Sequence, residues 1–307
     1  MAKRHTPAMA KIAAKREREI ARNHGKEVQS SPGKEAWKRL KRNRLAIVGL
    51  VVIALLILVA IFAPMLAPYP YNVMDYDHPF EFPNSEHWFG TDQFGRDIFS
   101  RVIYGTRISI PIGFMCVIVA FALGGTLGAI AAYYGGRVDN IIMRIMDIIQ
   151  SIPSMLLAIA VSATLGGGMR NLIIAIAVST MPARSRVVRA SILTVKRNDY
   201  IESARAMGAS SRRQLLKYML PNAIGPILTA ITFSVATAIL TVSSLSYIGL
   251  GIPEPMPEWG ALLAASKAFL NTYPYMLIFP GLAIMITVLA LNLFGDGLRD
   301  ALDPRLK

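Results

Sequence analysis

The sequence predicts an all-α polytopic membrane protein with six transmembrane helices. Three observations carry that reading. Over 307 residues, 53% are hydrophobic and only 17% charged, where an average soluble domain has about 25% charged. This excludes an ordinary soluble enzyme, and also a disordered chain, which requires low hydrophobicity. Apolar runs recur at close to the ~20 residues that cross a bilayer. Finally, of 33 Lys and Arg, 28 fall on the side shared by both termini and 5 on the other. That bias places both ends in the cytoplasm.

The elements follow in order. Residues 1–44 form a basic tail with 14 of the Lys and Arg. Beside a spanning segment, anionic lipid is its expected partner rather than nucleic acid; its first 30 residues predict a frayed helix or none. Residues 45–67 are a first span of 23 residues without a charge, too long for a signal-peptide core and left uncleaved. Residues 68–107 form an extracytoplasmic segment rich in Pro, Asp and aromatics. Within it, Asp92–Arg96 and Asp97–Arg101 have the i,i+4 spacing of pairs on a helix, and Trp88 and Phe89 suit a membrane interface. Fixing the mouth of the second span is favoured over solute contact. From residue 108 to 296 the pattern gives five more helices. They span 108–134, 141–165, a short fourth from Asn171 to Pro182 with flanks, 222–250, and 275–294. A basic segment covers 184–221, and residues 297–307 form a cytoplasmic tail.

Few groups in the apolar runs carry chemistry. Cys116 is the only cysteine, and the histidines are His5, His24, His78 and His87. None of the four lies in an apolar run, so neither a metal cluster nor a Ser–His membrane protease is expected. No phosphate-cradling Gly-x-x-x-x-Gly-Lys-Ser/Thr occurs, so the chain itself should not hydrolyse ATP. Arg144 and Asp147 share a helix face near the cytoplasmic end of the third span. They read either as a snorkelling or mutually paired couple, or as a polar element of a path or gate. Gly124 and Gly128 have the small-xxx-small spacing of helix packing.

The most informative stretch is 199–221. It reads as helix, break, helix. Asp199 and Glu202 have capping-box spacing. Tyr200, Ile201, Ala204 and Met207 make one apolar face, and Gly208 suits a left-handed helix end. Ser211 and Gln214 can cap the second helix, whose apolar face is Leu215, Leu216 and Met219. Pro221 fits the first turn of the fifth span. Periodicity alone leaves two readings open: an amphipathic loop on lipid, or a docking elbow.

Glu202, Ala204, Gly208, Leu220 and Pro221 fall in the order of the EAA loop, which this stretch resembles. That loop belongs to inner-membrane permease subunits of ABC importers. Ser203 stands for the usual second Ala. Residues 87–109, Ser246–Gly251 and the tail Gly295–Pro304 look like the C-type permeases of dipeptide and oligopeptide importers. With Met181 replacing a frequent Trp, the likeness spans about 35–307. It implies a type I ABC importer permease in a bacterial inner membrane, paired with a homologous second permease. Two ATPase subunits using Mg-ATP, and an extracytoplasmic solute-binding protein, are further implied partners. The chain itself then binds no cofactor and is not an enzyme. Glu202, Ala204, Gly208, Leu220 and Pro221 become the ATPase-coupling residues. Peptide is the expected cargo, with nickel or glutathione as alternatives. A self-contained channel or intramembrane enzyme is the reading from another class, and it has no use for a docking elbow.

Overall fold

The computed structural model describes residues 32–302. Helix α1 is Pro32–Leu40. Helix α2, Arg44–Leu66, starts where the Asn43 side chain accepts from the Ala46 amide at 3.2 Å. Helix α3 runs over Ile98–Tyr134, capped by Asp97 at the Ser100 amide (2.7 Å) and widened by a π-type turn at Phe121–Gly125. It ends at Gly135, where φ is +67°. Helices α4 (Gly136–Gln150) and α5 (Ser154–Leu165) meet at an 80° bend. Then come α6 (Met169–Lys196), α7 (Asp199–Ala206) and α8. The last begins as Ser211–Arg213 and passes through a π-type stretch, Gln214–Met219, into Leu220–Asn222. Helices α9 (Ile224–Tyr247), α10 (Trp259–Ser266) and α11 (Tyr275–Leu302) complete the order. No β-strand occurs among the described residues; Thr91 and Asp97 make one isolated bridge.

The main core lies where α3, α6 and α9 meet, around Ile112, Val117, Ile176, Ile239 and Leu245. Close approach there needs small residues. A Cβ on Gly124 would lie 2.4 Å from the Met181 carbonyl oxygen, and one on Gly128 would lie 2.1 Å from that of Ser185. The expected packing role of these two glycines is thus met, and α3 and α6 touch backbone to backbone.

Among the described residues, four helices are long and apolar enough to cross a membrane: α2, α3, α9 and α11. The bent α4–α5 pair makes a fifth crossing if counted as one span. The expected third span, 141–165, is therefore not one helix. Pro153 has no amide hydrogen to donate and disfavours a helical residue before it, so the chain turns at 151–153. The expected fourth span was too short. Pro182 does not end α6, which continues to Lys196; the residues from 184 to 196 are helix, not loop. Likewise α3 starts ten residues before the expected 108, and α11 runs beyond 294. The end of the basic tail is helical, and Leu40 of α1 packs with Ala46 and Ala301. Residues 1–31 and 303–307, including the expected frayed helix and Pro304, lie outside the described residues.

The loop before α3 corrects the pairing expected there. Residues 87–97 are not helical. Arg96 does reach Asp92 (Nε–Oδ2, 2.6 Å), but across a turn. Arg101 approaches Asp92 and Glu254, each at 3.8 Å, rather than Asp97. Asp97 instead meets His87 at 2.9 Å. Phe89 stacks on Phe279 of α11 at 3.8 Å. The loop therefore fixes the start of α3, as its composition suggested.

Candidate functional site

Helices α7 and α8 form an elbow between α6 and α9. Its break is built as a Schellman end. The Gly208 amide donates to the Arg205 carbonyl (2.9 Å), and the Ala209 amide donates to that of Ala204 (3.0 Å). Both orphan carbonyls of the helix end are satisfied in this way. The geometry requires a left-handed residue, and Gly208 has φ +78°. A Cβ there would meet nothing within 4 Å, so backbone conformation, not space, selects glycine.

The elbow has a buried face and a free one. Ile201 and Ala204 are 1% and 3% exposed. Ile201 joins Val188, Ile192, Met219 and Ile227 in a core at the ends of α3, α6 and α9. Leu220 packs against that core, and Pro221 sits in the turn leading to α9. Glu202 is exposed and has no partner among the described residues. Met207 is 80% exposed and Leu216 51%, so neither joins the apolar face assigned to it from periodicity. With Tyr200 they leave apolar groups on the surface beside Glu202, Arg212 and Arg213.

The capping expected from the sequence is shifted. Asn198, not Asp199, precedes the first turn of α7, and no side chain caps it. The capping box between Asp199 and Glu202 is not formed. Helix α8 is capped by Ser210, which accepts from the Arg213 amide, not by Ser211. Gln214 is buried and does something else. Its Nε2 donates to the Ala209 carbonyl at 2.7 Å, while its Oε1 accepts from the Tyr133 hydroxyl at 3.3 Å. It ties the elbow's break to the end of α3. Lys196 reinforces this, donating to the carbonyls of Ala132 and Tyr133 at 2.9 and 2.7 Å. A cation at a helix C-terminus is favourable.

Arg144 and Asp147 are both exposed on α4 and do not pair with each other. Asp147 receives Arg186 of α6 at 2.5 Å. One turn further on, Arg189 holds Asp139 with two bonds of 2.6 and 2.5 Å. The C-terminal half of α6 is thereby joined to α4 by paired charges. The sequence did not point to Gln214, Lys196 or Arg186 as linkers, because each partner lies far along the chain. Gln214 carries a polar signal before Leu215 and Leu216, but its spacing reads as a helix cap.

Several helices long and apolar enough to cross a membrane, and an elbow with one anchored and one free face, fit the membrane component of a transport system. The chain belongs to the family of binding-protein-dependent transport system inner membrane components, whose model matches residues 124–307. Residues 31–83 match the N-terminal transmembrane domain of oligopeptide transport permease C. The dipeptide transport system permease protein DppC of Alkalihalophilus pseudofirmus is 47% identical over 90% of this chain and 91% of its own length. The glutathione transport system permease protein GsiD of Pectobacterium atrosepticum is 47% identical over 90% of this chain and 92% of its own. A chain of the inward-facing MetNI methionine ABC transporter superposes with a TM-score of 0.55 at 19% identity, covering 67% of this chain and 98% of that one. That likeness establishes the fold. The chain is a multi-pass permease subunit of a binding-protein-dependent importer.

Proposed function

We propose that this chain is one permease half of an ATP-driven importer for di- or oligopeptides. The observation that carries the coupling part is the elbow's two faces. Ile201 and Ala204 are locked into the core while Glu202 and Met207 stand free beside them. A surface anchored this firmly, yet left open, suits docking to an ATPase subunit better than resting on lipid. In this reading Glu202 contacts the ATPase, Ala204 and Gly208 hold the elbow's shape, and Leu220 and Pro221 set its joint to α9. A homologous second permease, two ATPases using Mg-ATP and a solute-binding protein complete the assembly, and this chain binds no cofactor of its own. Asp147, through Arg186, and Arg144 serve as polar elements of the cytoplasmic path.

Counting α6 as a crossing gives six spans and puts both termini in the cytoplasm, in line with the basic-residue bias. The dipeptide relative supports peptide cargo. The glutathione relative, equally identical, supports a peptide-like solute as the alternative; nickel is the other alternative. A self-contained channel or membrane enzyme leaves the elbow unexplained.

The test is ATP-dependent uptake of a labelled pentapeptide in cells with and without this chain. Uptake lost with the gene, restored by the intact gene and not by Gly208→Val, is the expected result. Unchanged uptake would overturn the oligopeptide cargo, and labelled dipeptide and glutathione would then separate the remaining two.

A further inference from the structure

Arg184 lies in the half of α6 that packs on α3 and α4, where its neighbours Arg186 and Arg189 are paired and it is not. Arg186 and Arg189 pair with Asp147 and Asp139. Arg184 has neither an ion pair nor a hydrogen bond among the described residues, and its Nε is buried with nothing to receive it. Its guanidinium carbon lies 5.6 Å from the ring centre of Phe121, at the π-type turn of α3. It lines a water-sized cavity of about 10 Å³ shared with Cys116, Thr180, Ser234, Thr237 and Thr241.

The depth of this group matters. Phe121 and Cys116 lie near the middle of α3, which spans Ile98–Tyr134. Ser234 and Thr241 bracket the middle of α9, which spans Ile224–Tyr247. A cation level with both midpoints is deep in the membrane, where an ionisable side chain is costly and marks a path or a ligand by default. The side chain is only half buried, so its forked end is not sealed in the core. Along α9, Thr237, Thr241 and Ser244 follow at i, i+4 and i+7, and Thr237 and Ser244 are exposed. This makes a row of hydroxyls leading away from the arginine along one side of the helix.

We propose that Arg184 binds a carboxylate of the solute as it crosses, at the middle of the membrane. The proposal rests on the peptide reading above. A free peptide or glutathione ends in a carboxylate, and the planar guanidinium matches it with two parallel hydrogen bonds. Phe121 holds the guanidinium by its ring face when no anion is present. Thr180, Thr237 and Thr241 hydroxyls now donate to their own helix carbonyls at 2.8, 3.1 and 2.9 Å, and rotate toward the solute as the cavity widens.

The test uses the complete transporter in liposomes, with ATP inside and the binding protein preloaded with saturating tri-alanine or tri-alanine amide. Preloading removes the binding protein's own preference from the comparison. The parent should import the free acid at least tenfold faster than the amide. Arg184→Gln should cut the acid rate at least tenfold and bring the ratio near one, while Arg184→Lys keeps a clear preference for the acid. An unchanged ratio overturns the proposal. So does a loss equal for both peptides, including one caused by separation of the two permeases, which would assign the arginine to a carboxylate of the partner instead. Import of neither peptide by the parent overturns the peptide reading itself, and this inference with it.

Discussion

Arg96 and Glu254 stand 158 residues apart and meet through guanidinium–carboxylate contacts of 3.2 and 3.3 Å. They join the loop before α3 to the segment before α10. The same guanidinium holds Asp92 at 2.6 Å, and Arg96 and Arg101 are each 1% exposed. Glu258, fully buried, continues the join by accepting from the amides of Gly260 and Ala261 and from Ser109 of α3. This end of the helix bundle is therefore held by a charge network as well as by apolar packing.

Its two ends should respond differently to substitution. Arg96→Ala strips buried Asp92 of its near partner, and breaking a buried pair costs about 3 kcal/mol. The Glu254 side chain is 38% exposed, so Glu254→Gln should cost less than about 1 kcal/mol. Thermal unfolding of both variants in detergent measures this. Equal shifts in midpoint would show that the network does not bear on stability in this way.

Gly208→Val should reduce uptake with membrane insertion largely intact, because a left-handed backbone costs an L residue about 1–2 kcal/mol. Asn tolerates that conformation better, and no atom lies within 4 Å of a Cβ there. Gly208→Asn should therefore keep most of the uptake. If Asn and Val were equally harmful, the site would be demanding glycine for close contact with a partner instead of for its φ.

Glu202→Gln and Glu202→Ala should be about equally damaging to ATP-dependent uptake, with little change in unfolding temperature. The reason is that Glu202 caps nothing in this structure. Gln preserves a cap but not a charge. Substantial rescue by Gln alone would return the residue to the capping role its spacing suggested.

His78 and Asp75 form an exposed pair at 2.9 Å. Hydrogen bonding to Asp75 raises the His78 pKa, and the same bond lowers that of Asp75. The histidine's contribution is complete below its ordinary range and is lost as pH climbs through its raised value. The aspartate's is complete above the ordinary carboxylate range and is lost as pH falls through its lowered value. The pair thus holds in the window between. Ring NMR of labelled His78 should show its titration moving down toward about 6.5 in Asp75→Asn. No movement would mean the pair is not populated in solution.

How much of this was legible depended on range along the chain. The 23 uncharged residues of the first span sufficed for α2, and Gly208 announced its left-handed turn. Helix α6 was misjudged because Pro182 is a strong local stop signal. The packing of α6 on α3, through Gly124 and Gly128, overrides it. The elbow's anchor was legible in Ile201 and Ala204 but not in Gln214, whose purpose exists only once Tyr133 is beside it. Arg101 was matched to Asp97 by spacing, whereas the fold brings it Asp92 and Glu254.

The backbone contact of α3 with α6 has a mechanical consequence. At Gly124 and Gly128 the two helices touch with no side chain between them, so there is no compressible layer to absorb a twist. The 37 residues of α3 extend about 55 Å at 1.5 Å per residue. One end is tied by Gln214 and Lys196 to the elbow, and the other begins one residue after Asp97 in the charge-closed loop. Held at both ends and gripped in between, α3 is placed to carry a rotation imposed at one clamp toward the other, with Pro111 and the π-type turn as the points where it can bend.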